Sequence, residues 1–325
     1  MINYVTVGAF AYDYIYIPPA EPRFEVGGNG IYAAMGARVW APGEVGLVSR
    51  AAETITNDYL EQIEKSGIDT KGVTKLKGPH DFVSTMEYNK DQSRQSFKIE
   101  KRDIKEEIPD LMKGYNPNDQ NKRDFMEEKF APALKDYPNE WYDVNGLMIA
   151  ARYYDKQLPF VNKFKDKDVP IILDTYPDYM REKDISSLKK LFSGVDVLLP
   201  SEGEIKEIWP NEKLEKSAKK LAEIGPTPIV LIKVGKEGSI LYIREKDELI
   251  KIPPYPAEVV DPTGAGDAFC GGYLVGYCKT NSPIKAAIYG TVSSSFIIEG
   301  YGAEYSTFVT KKMASKRYNK VKELM

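Results

Sequence analysis

The chain alternates short apolar runs with amphipathic stretches. YVTVGAF (4–10) is mostly apolar and closes around Gly8, the signature of a strand covered on both faces. EVGLVSRAA (44–52), NGLMIAAR (145–152), PIILD (170–174), VDVLLP (195–200) and PIVLIKVG (228–235) repeat it. Between them, TITNDYLEQIEKSG (54–67), KQLPFVNKFKDK (156–167), EKDISSLKKLF (182–192) and NEKLEKSAKKLAEIG (211–225) read as helices, the first and last with a Gly stop. GSILYIREKDELIKIPPYP (238–256) reads as a small antiparallel element. Three more helices are predicted, over TGAGDAFCGGYLVGYCK (263–279), SPIKAAIYGTVSSSFIIEG (282–300) and VTKKMASKRYNKVKEL (309–324). Strands alternating with helices predict an α/β fold, a three-layer, mostly parallel sheet flanked by helices.

Two segments break this alternation. YDYIYIPPAEPRFEV (12–26) alternates aromatic and aliphatic residues before its prolines, and DFVSTMEYNKDQSRQSFKIE (81–100) holds two β-like runs around the polar turn NKDQS. Both read as inserts forming a small second sheet, a β lid on one domain spanning 1–325. GGNGIYAAMGARVW (27–40) passes from glycines into an Ala-rich helix. Residues 101–143 are polar and broken by Pro and Asn, with a helix expected near 123–135.

Composition narrows the function classes. Lys plus Arg total 45 against 48 for Asp plus Glu, which leaves no global footprint for nucleic acid. No run of 18 apolar residues is present, so no membrane helix is expected. The first residues carry no basic stretch of a signal peptide, and a cytoplasmic protein is expected. Cys270 and Cys278 fall eight residues apart on one predicted helix. That is about 12 Å along the axis, too far for a disulfide. His80 is the single histidine and sits in LKGPHDF, where it reads as a surface or loop residue. A proton acceptor is then more plausibly a carboxylate.

VVDPTGAGDAFCGG (259–272) carries the chemistry. Gly264 and Gly266 permit positive φ or close backbone approach, and the turn feeds directly into an apolar helix. A helix start of this kind presents N–H groups and a positive dipole end to an anion. Asp267 in the first turn would face a substrate hydroxyl as base, above an anion hole of Gly264, Ala265 and Gly266, which is the pairing phosphoryl transfer needs. The plainer alternative is a capped helix after a glycine turn. A P-loop is excluded because GxxxxGK[ST] occurs nowhere. Gly28–Ala33 matches GxGxx(G/A), but an insert with three prolines separates it from the first strand, against a dinucleotide fold.

Asp261-Pro262-Thr263-Gly264-Ala265-Gly266-Asp267, followed by Gly271 and Gly272, resembles the D-x-x-G-A-G-D signature of the ribokinase-like sugar and nucleoside kinases, the PfkB family. The resemblance implies acceptor contacts from Asp13 and from Gly27, Gly28 and Asn29. PSEGE (200–204) is similar to the family's N-x-x-E stretch, with Glu204 matched near Mg2+ and Ser201 in place of asparagine. KVGKEG (233–238) is similar to T-x-G-x-x-G beside the nucleotide, with Gly235 and Gly238 matched. Lys233 replaces the threonine there, either as a point charge on phosphate or as a salt-bridged strand-end lysine. Asp261 and Thr263 match positions near a monovalent cation such as K+. The cofactors implied are ATP and Mg2+.

The implied acceptor is a small polyhydroxylated molecule, a sugar or sugar acid first and a nucleoside second. A catalytically silent binding relative is a third reading. Arg94 and Arg102 could reach an acceptor carboxylate. Tyr12, Tyr14 and Tyr16 form a period-two stripe that could stack on the acceptor, bury in a homodimer paired through the lid, or be an ordinary strand face.

Overall fold

Apolar runs of four to eight residues pair as parallel strands when helices cover both faces of the sheet, and this chain supplies those helices. The computed structural model describes residues 1–89, 94–95, 119–182 and 184–325. Among them, ten strands form one sheet. Its order runs Glu248–Ile252, Ser239–Ile243, Ile229–Lys233, Val197–Leu198, Ile171–Leu173, Gly146–Ile149, Tyr4–Val7, Val45–Ala52 and Ile68–Asp69, with Val73–Leu76 also on Val45–Ala52. Only the Ser239–Ile243 pairings are antiparallel, so the expected mostly parallel, three-layer α/β architecture is present. Side chains alternate along each strand into two cores. Met148 and Ile172 pack with the glycine-turn helix, whereas Leu147, Ile149, Ile171 and Leu173 pack with the helices of the middle third.

The inserts form the second sheet, in the order Arg23–Gly27, Ala11–Tyr16, Val83–Tyr88 and Arg94–Gln95. The expected hairpin within 81–100 is there, pairing Glu87 with Gln95 and Tyr88 with Arg94. Its turn at 90–93, the Arg94 side chain, Arg102 and the whole of 101–118 lie outside the described residues. The helix expected near 123–135 runs Gln120–Phe130, starting where Asp119 caps it by accepting from Lys122 N at 3.1 Å. Two short helices escape the hydrophobic pattern, Pro177–Glu182 and Glu202–Ile208. Each is under two full turns and too short to show a 3.6-residue period.

Small residues join the two ends of the sequence. The helix Asn29–Arg38 lies against Ala265–Thr280 so closely that a Cβ on Gly36 would sit 2.0 Å from Ala268 O, and one on Gly271 would sit 1.8 Å from Ala33 O. Backbones at that distance tolerate only hydrogen at these positions. Trp40 closes the seam, donating from Nε1 to Ser293 Oγ at 3.0 Å.

Gly271→Ala is therefore expected to cost at least about 1–3 kcal/mol of stability as overpacking. Gly203→Ala is the control, since its nearest neighbour would be Ser201 Oγ at 3.8 Å. That change should be neutral or raise stability by up to about 1 kcal/mol, as Ala does over Gly in a helix. Urea unfolding of both variants checks the pair. Equal midpoints would remove the seam as a constraint.

Candidate active site

In an open parallel sheet the loops leaving the carboxyl ends of the strands gather along one edge. Asp13 follows Tyr4–Val7, Asp174 follows Ile171–Leu173, Ser201 and Glu204 follow Val197–Leu198, and Lys233 ends Ile229–Lys233. The glycine turn joins them there. Gly264 has φ +74° and caps the helix Ala265–Thr280. Of the two glycines expected to permit positive φ or close backbone approach, Gly264 takes the positive φ, and Gly266 is already helical. The Ala265 amide turns back to Pro262 O at 3.3 Å, so it is engaged within the turn itself.

Tyr32 ties the two glycine motifs together. A Cβ on Gly264 would lie 2.1 Å from Tyr32 Cδ1, and one on Gly27 would lie 3.2 Å from Tyr32 Cε2. One buried ring thus spaces the Gly264 turn from the start of the first helix. Gly27 also clears the Asp13 carboxylate, whose Oδ2 accepts from Gly28 N at 3.1 Å. The Asn29 amide holds loops: Oδ1 accepts from Ala9 N at 3.0 Å and Nδ2 donates to Ala151 O at 2.6 Å.

The lid presents two unlike faces. Asp13 pairs with Glu25 and Ile15 with Arg23, so these side chains share one face, while Tyr12, Tyr14, Phe24 and Val26 share the other. Tyr12 stacks on Phe24 with centroids 5.0 Å apart. The tyrosine stripe therefore lies opposite Asp13, and does not cover the Gly27–Gly28 pocket. On the Asp13 face, the Arg23 guanidinium binds Asp261 Oδ2 and lies 3.9 Å from the Tyr301 ring centroid. Asp261 Oδ1 accepts from Thr263 N at 2.8 Å, and the Thr263 hydroxyl meets the Tyr88 hydroxyl at 3.0 Å. Burial pushes the Glu25 carboxyl up to about 7, against the pull of Arg23. The Tyr32 and Tyr59 hydroxyls are buried without a hydrogen-bond partner; burial first, then Asp13, Glu25 and their acidic neighbours, raise both phenols.

Farther along the edge, Lys233 is a paired lysine. Its Nζ donates to Asp174 Oδ1 at 2.7 Å and approaches Cys270 Sγ at 3.5 Å. It also lies 3.6 Å from where a Gly266 Cβ would stand, so its charge is at the anion turn. Burial works against the ammonium, but Asp174, Cys270 and Glu204 together hold it protonated. Burial raises Asp174, and Lys233 pulls it back. Ser201 and Glu204 form a capping box on Glu202–Ile208. Glu204 Oε2 accepts from Ser201 N and Thr175 Oγ1, both at 2.7 Å, and burial plus Asp174 raise its pKa to about 7. Gly235 and Gly238 shape the turn after Lys233, with φ +53° and +87°.

The structure thus brings Asp13, Gly27, Gly28 and Asn29 beside Gly264–Asp267, with Lys233 and Glu204 along the same edge. Sequence reasoning missed Arg23, Glu25, Tyr32, Tyr59, Tyr88 and Asp174. Their signal was faint, because Arg23, Tyr32, Tyr88 and Asp174 matter through neighbours far along the chain, Asp261, Gly264, Thr263 and Lys233. His80 is no surface residue. It is fully buried, with Nδ1 accepting from Ala52 N at 3.3 Å. That acceptor role puts the proton on Nε2, which then donates to Phe10 O at 3.1 Å.

The fold is an α/β scaffold of the ribokinase type. Residues 161–310 match the family model described as pfkB family carbohydrate kinase. A cytidine kinase of Thermococcus kodakarensis is 27% identical over 282 residues, covering 86% of this chain and 90% of that one. A ribokinase of Giardia lamblia superposes with a TM-score of 0.71 at 16% identity, covering 98% and 99%. A Burkholderia thailandensis nucleoside kinase in complex with inosine gives 0.70 at 16%, covering 98% and 97%. At such identities the two structures speak for the fold alone. Residues 161–310 thus resemble the pfkB family carbohydrate kinases, and the chain as a whole has the ribokinase-like fold.

Two outcomes follow from the buried charges. Lys233→Met strands Asp174 and should cost about 3–5 kcal/mol, most of it recovered in Lys233→Met/Asp174→Asn. Urea midpoints test this, and a double variant no more stable than the single would refute the pairing. Burial depresses His80 to about 4, with Asp81 and Lys129 as its charged neighbours. Its folded pKa is below its unfolded value near 6.5, so its contribution is complete above about 6.5 and falls away as pH drops towards about 4. Wild type should lose up to about 3 kcal/mol more than His80→Gln across that window. Parallel stability curves against pH would disprove it.

Proposed function

We propose that the protein, acting as one ribokinase-like unit over 1–325 with its lid at 12–26 and 81–100, transfers the γ-phosphoryl group of ATP to a hydroxymethyl group of a neutral polyhydroxylated acceptor, a free sugar in the first reading. The supporting observation is the Tyr32 ring seated between Gly27 and Gly264, which sets the acceptor motif beside the catalytic turn. Asp13 would accept from acceptor hydroxyls, joined by the orphaned Tyr32 and Tyr59 phenols. Asp267 would take the proton as the acceptor oxygen bonds to phosphorus and ADP departs, while the helix-start amides stabilise the charge on the moving group.

Lys233 would bring a preorganised positive charge to the phosphates, and the Gly235–Gly238 turn would border the nucleotide. Mg2+ would neutralise phosphate charge when bound. The donor set fits an indirect role for Glu204, because both of its hydrogen bonds given above fall on Oε2, leaving Oε1 to reach the ion through water.

The lid face limits the acceptor. Among the described residues, Asp261 and Glu304 lie near Glu25, and Asp13, Glu25 and Asp261 near Tyr32, with the Arg23 guanidinium as the counter-charge beside Glu25. A sugar acid would bring its carboxylate into that field, so a neutral acceptor is favoured. A nucleoside is the second reading, favoured by the likeness to a cytidine kinase over most of both chains.

ADP release with Mg-ATP across neutral sugars, sugar acids and nucleosides tests the proposal. Asp267→Asn should reduce kcat by roughly 10²–10⁴-fold, as expected for a lost general base. Release that survives the substitution would remove Asp267 from that role. Preference for sugar acids would overturn the argument from charge.

A further inference from the structure

Asp261 is a carboxylate buried at the root of the catalytic turn, its side chain 3% exposed. A buried charge of this kind requires a counter-charge, and uncompensated it would oppose arriving phosphates. The counter-charge comes from the lid: the guanidinium of Arg23, on the edge strand Arg23–Gly27, binds one Asp261 oxygen. The other oxygen accepts from the Thr263 amide, so the same carboxylate orients the turn. Tyr88, on a second lid strand, meets the Thr263 hydroxyl. The side chains of Asp261 and Thr263, expected from the family resemblance to hold a monovalent cation, are thus both engaged by the lid. They do not fit an open seat for K+. Glu25 lies 3.8 Å from Arg23 Nε but does not displace Asp261 as its closer partner.

We infer that Arg23 is a tethered cation that replaces a free monovalent ion at Asp261, so that closing the lid and neutralising the catalytic turn are one event. Arg23 is a positioning residue: it acts through Asp261 and Thr263 on the amides of the turn. The consequence for turnover rests on the kinase reading above; the occupancy of the site by Arg23 does not.

The test compares wild type, Arg23→Ala, Arg23→Gln and Arg23→Lys in tetramethylammonium buffer, with K+ or low-millimolar guanidinium added at constant ionic strength. Wild-type ADP release should be the same with and without K+. Arg23→Ala and Arg23→Gln should lose activity, by no more than the roughly 100-fold that loss of a direct anion-hole donor costs, and should regain part of it with K+ or guanidinium. Arg23→Lys should keep more activity and stay indifferent to K+. A merely structural arginine would give a loss that neither ion moves, and that result overturns the inference. So does K+ activation of wild type equal to that of the variants. Thermal melts of the same proteins read the site without turnover: the two neutral variants should gain Tm with either ion, and wild type should not. If wild type released no ADP with any acceptor, the kinase reading would fall while the melts still decided the role of Arg23. An equal melting response in wild type and variants would sink it.

Discussion

The contact between the helices Asn29–Arg38 and Ala265–Thr280 constrains everything else at this site. Gly36 against Ala268 and Gly271 against Ala33 bring two backbones to a distance that no side chain could share. One helix starts at the Gly27–Gly28 motif and the other at the Gly264 turn, so the seam converts more than 220 residues of sequence separation into adjacency. Tyr32 then sets the gap between the two starts. Packing of this kind is stiff, because rotation of either helix would drive a carbonyl into the other.

Buried charge organises the remainder. Lys233 with Asp174 supports the sheet side of the turn, and Arg23 with Asp261 supports its lid side. Each pair joins elements far apart in sequence. Each also stands where the family pattern leads one to expect something else, a threonine in one case and a free ion in the other. A buried lysine or arginine is tolerated only with a paired, hydrogen-bonded partner, so these departures imply their partners Asp174 and the lid. The glycines at 27, 28, 264 and 271 have no room for a Cβ, which would meet a neighbour at 1.9, 2.5, 2.1 and 1.8 Å.

The long buried strands, the amphipathic helices and the glycine turn were legible in the sequence, since each is written in local periodicity or in a positive φ that only Gly adopts cheaply. Pro177–Glu182 and Glu202–Ile208 were not, being shorter than a readable period. Ser201 and Glu204 illustrate a mixed case: the same S-x-x-E spacing serves as a capping box and as a match to a phosphate-site motif, and the structure shows the first. His80 misled because its Gly-Pro surroundings describe the loop and say nothing of what lies over it, here Phe130 at 4.2 Å.

The sequence by itself determined the fold class, the parallel sheet, the lid inserts and the glycine turn at the head of a helix, because hydrophobic period and glycine placement are local properties. Tertiary structure alone decided which face of the lid looks at Asp13, where the tyrosine stripe points, and that Lys233 and Arg23 are paired cations. Those depend on strand register and on cross-layer distances, and a register shift of one residue would exchange the two lid faces.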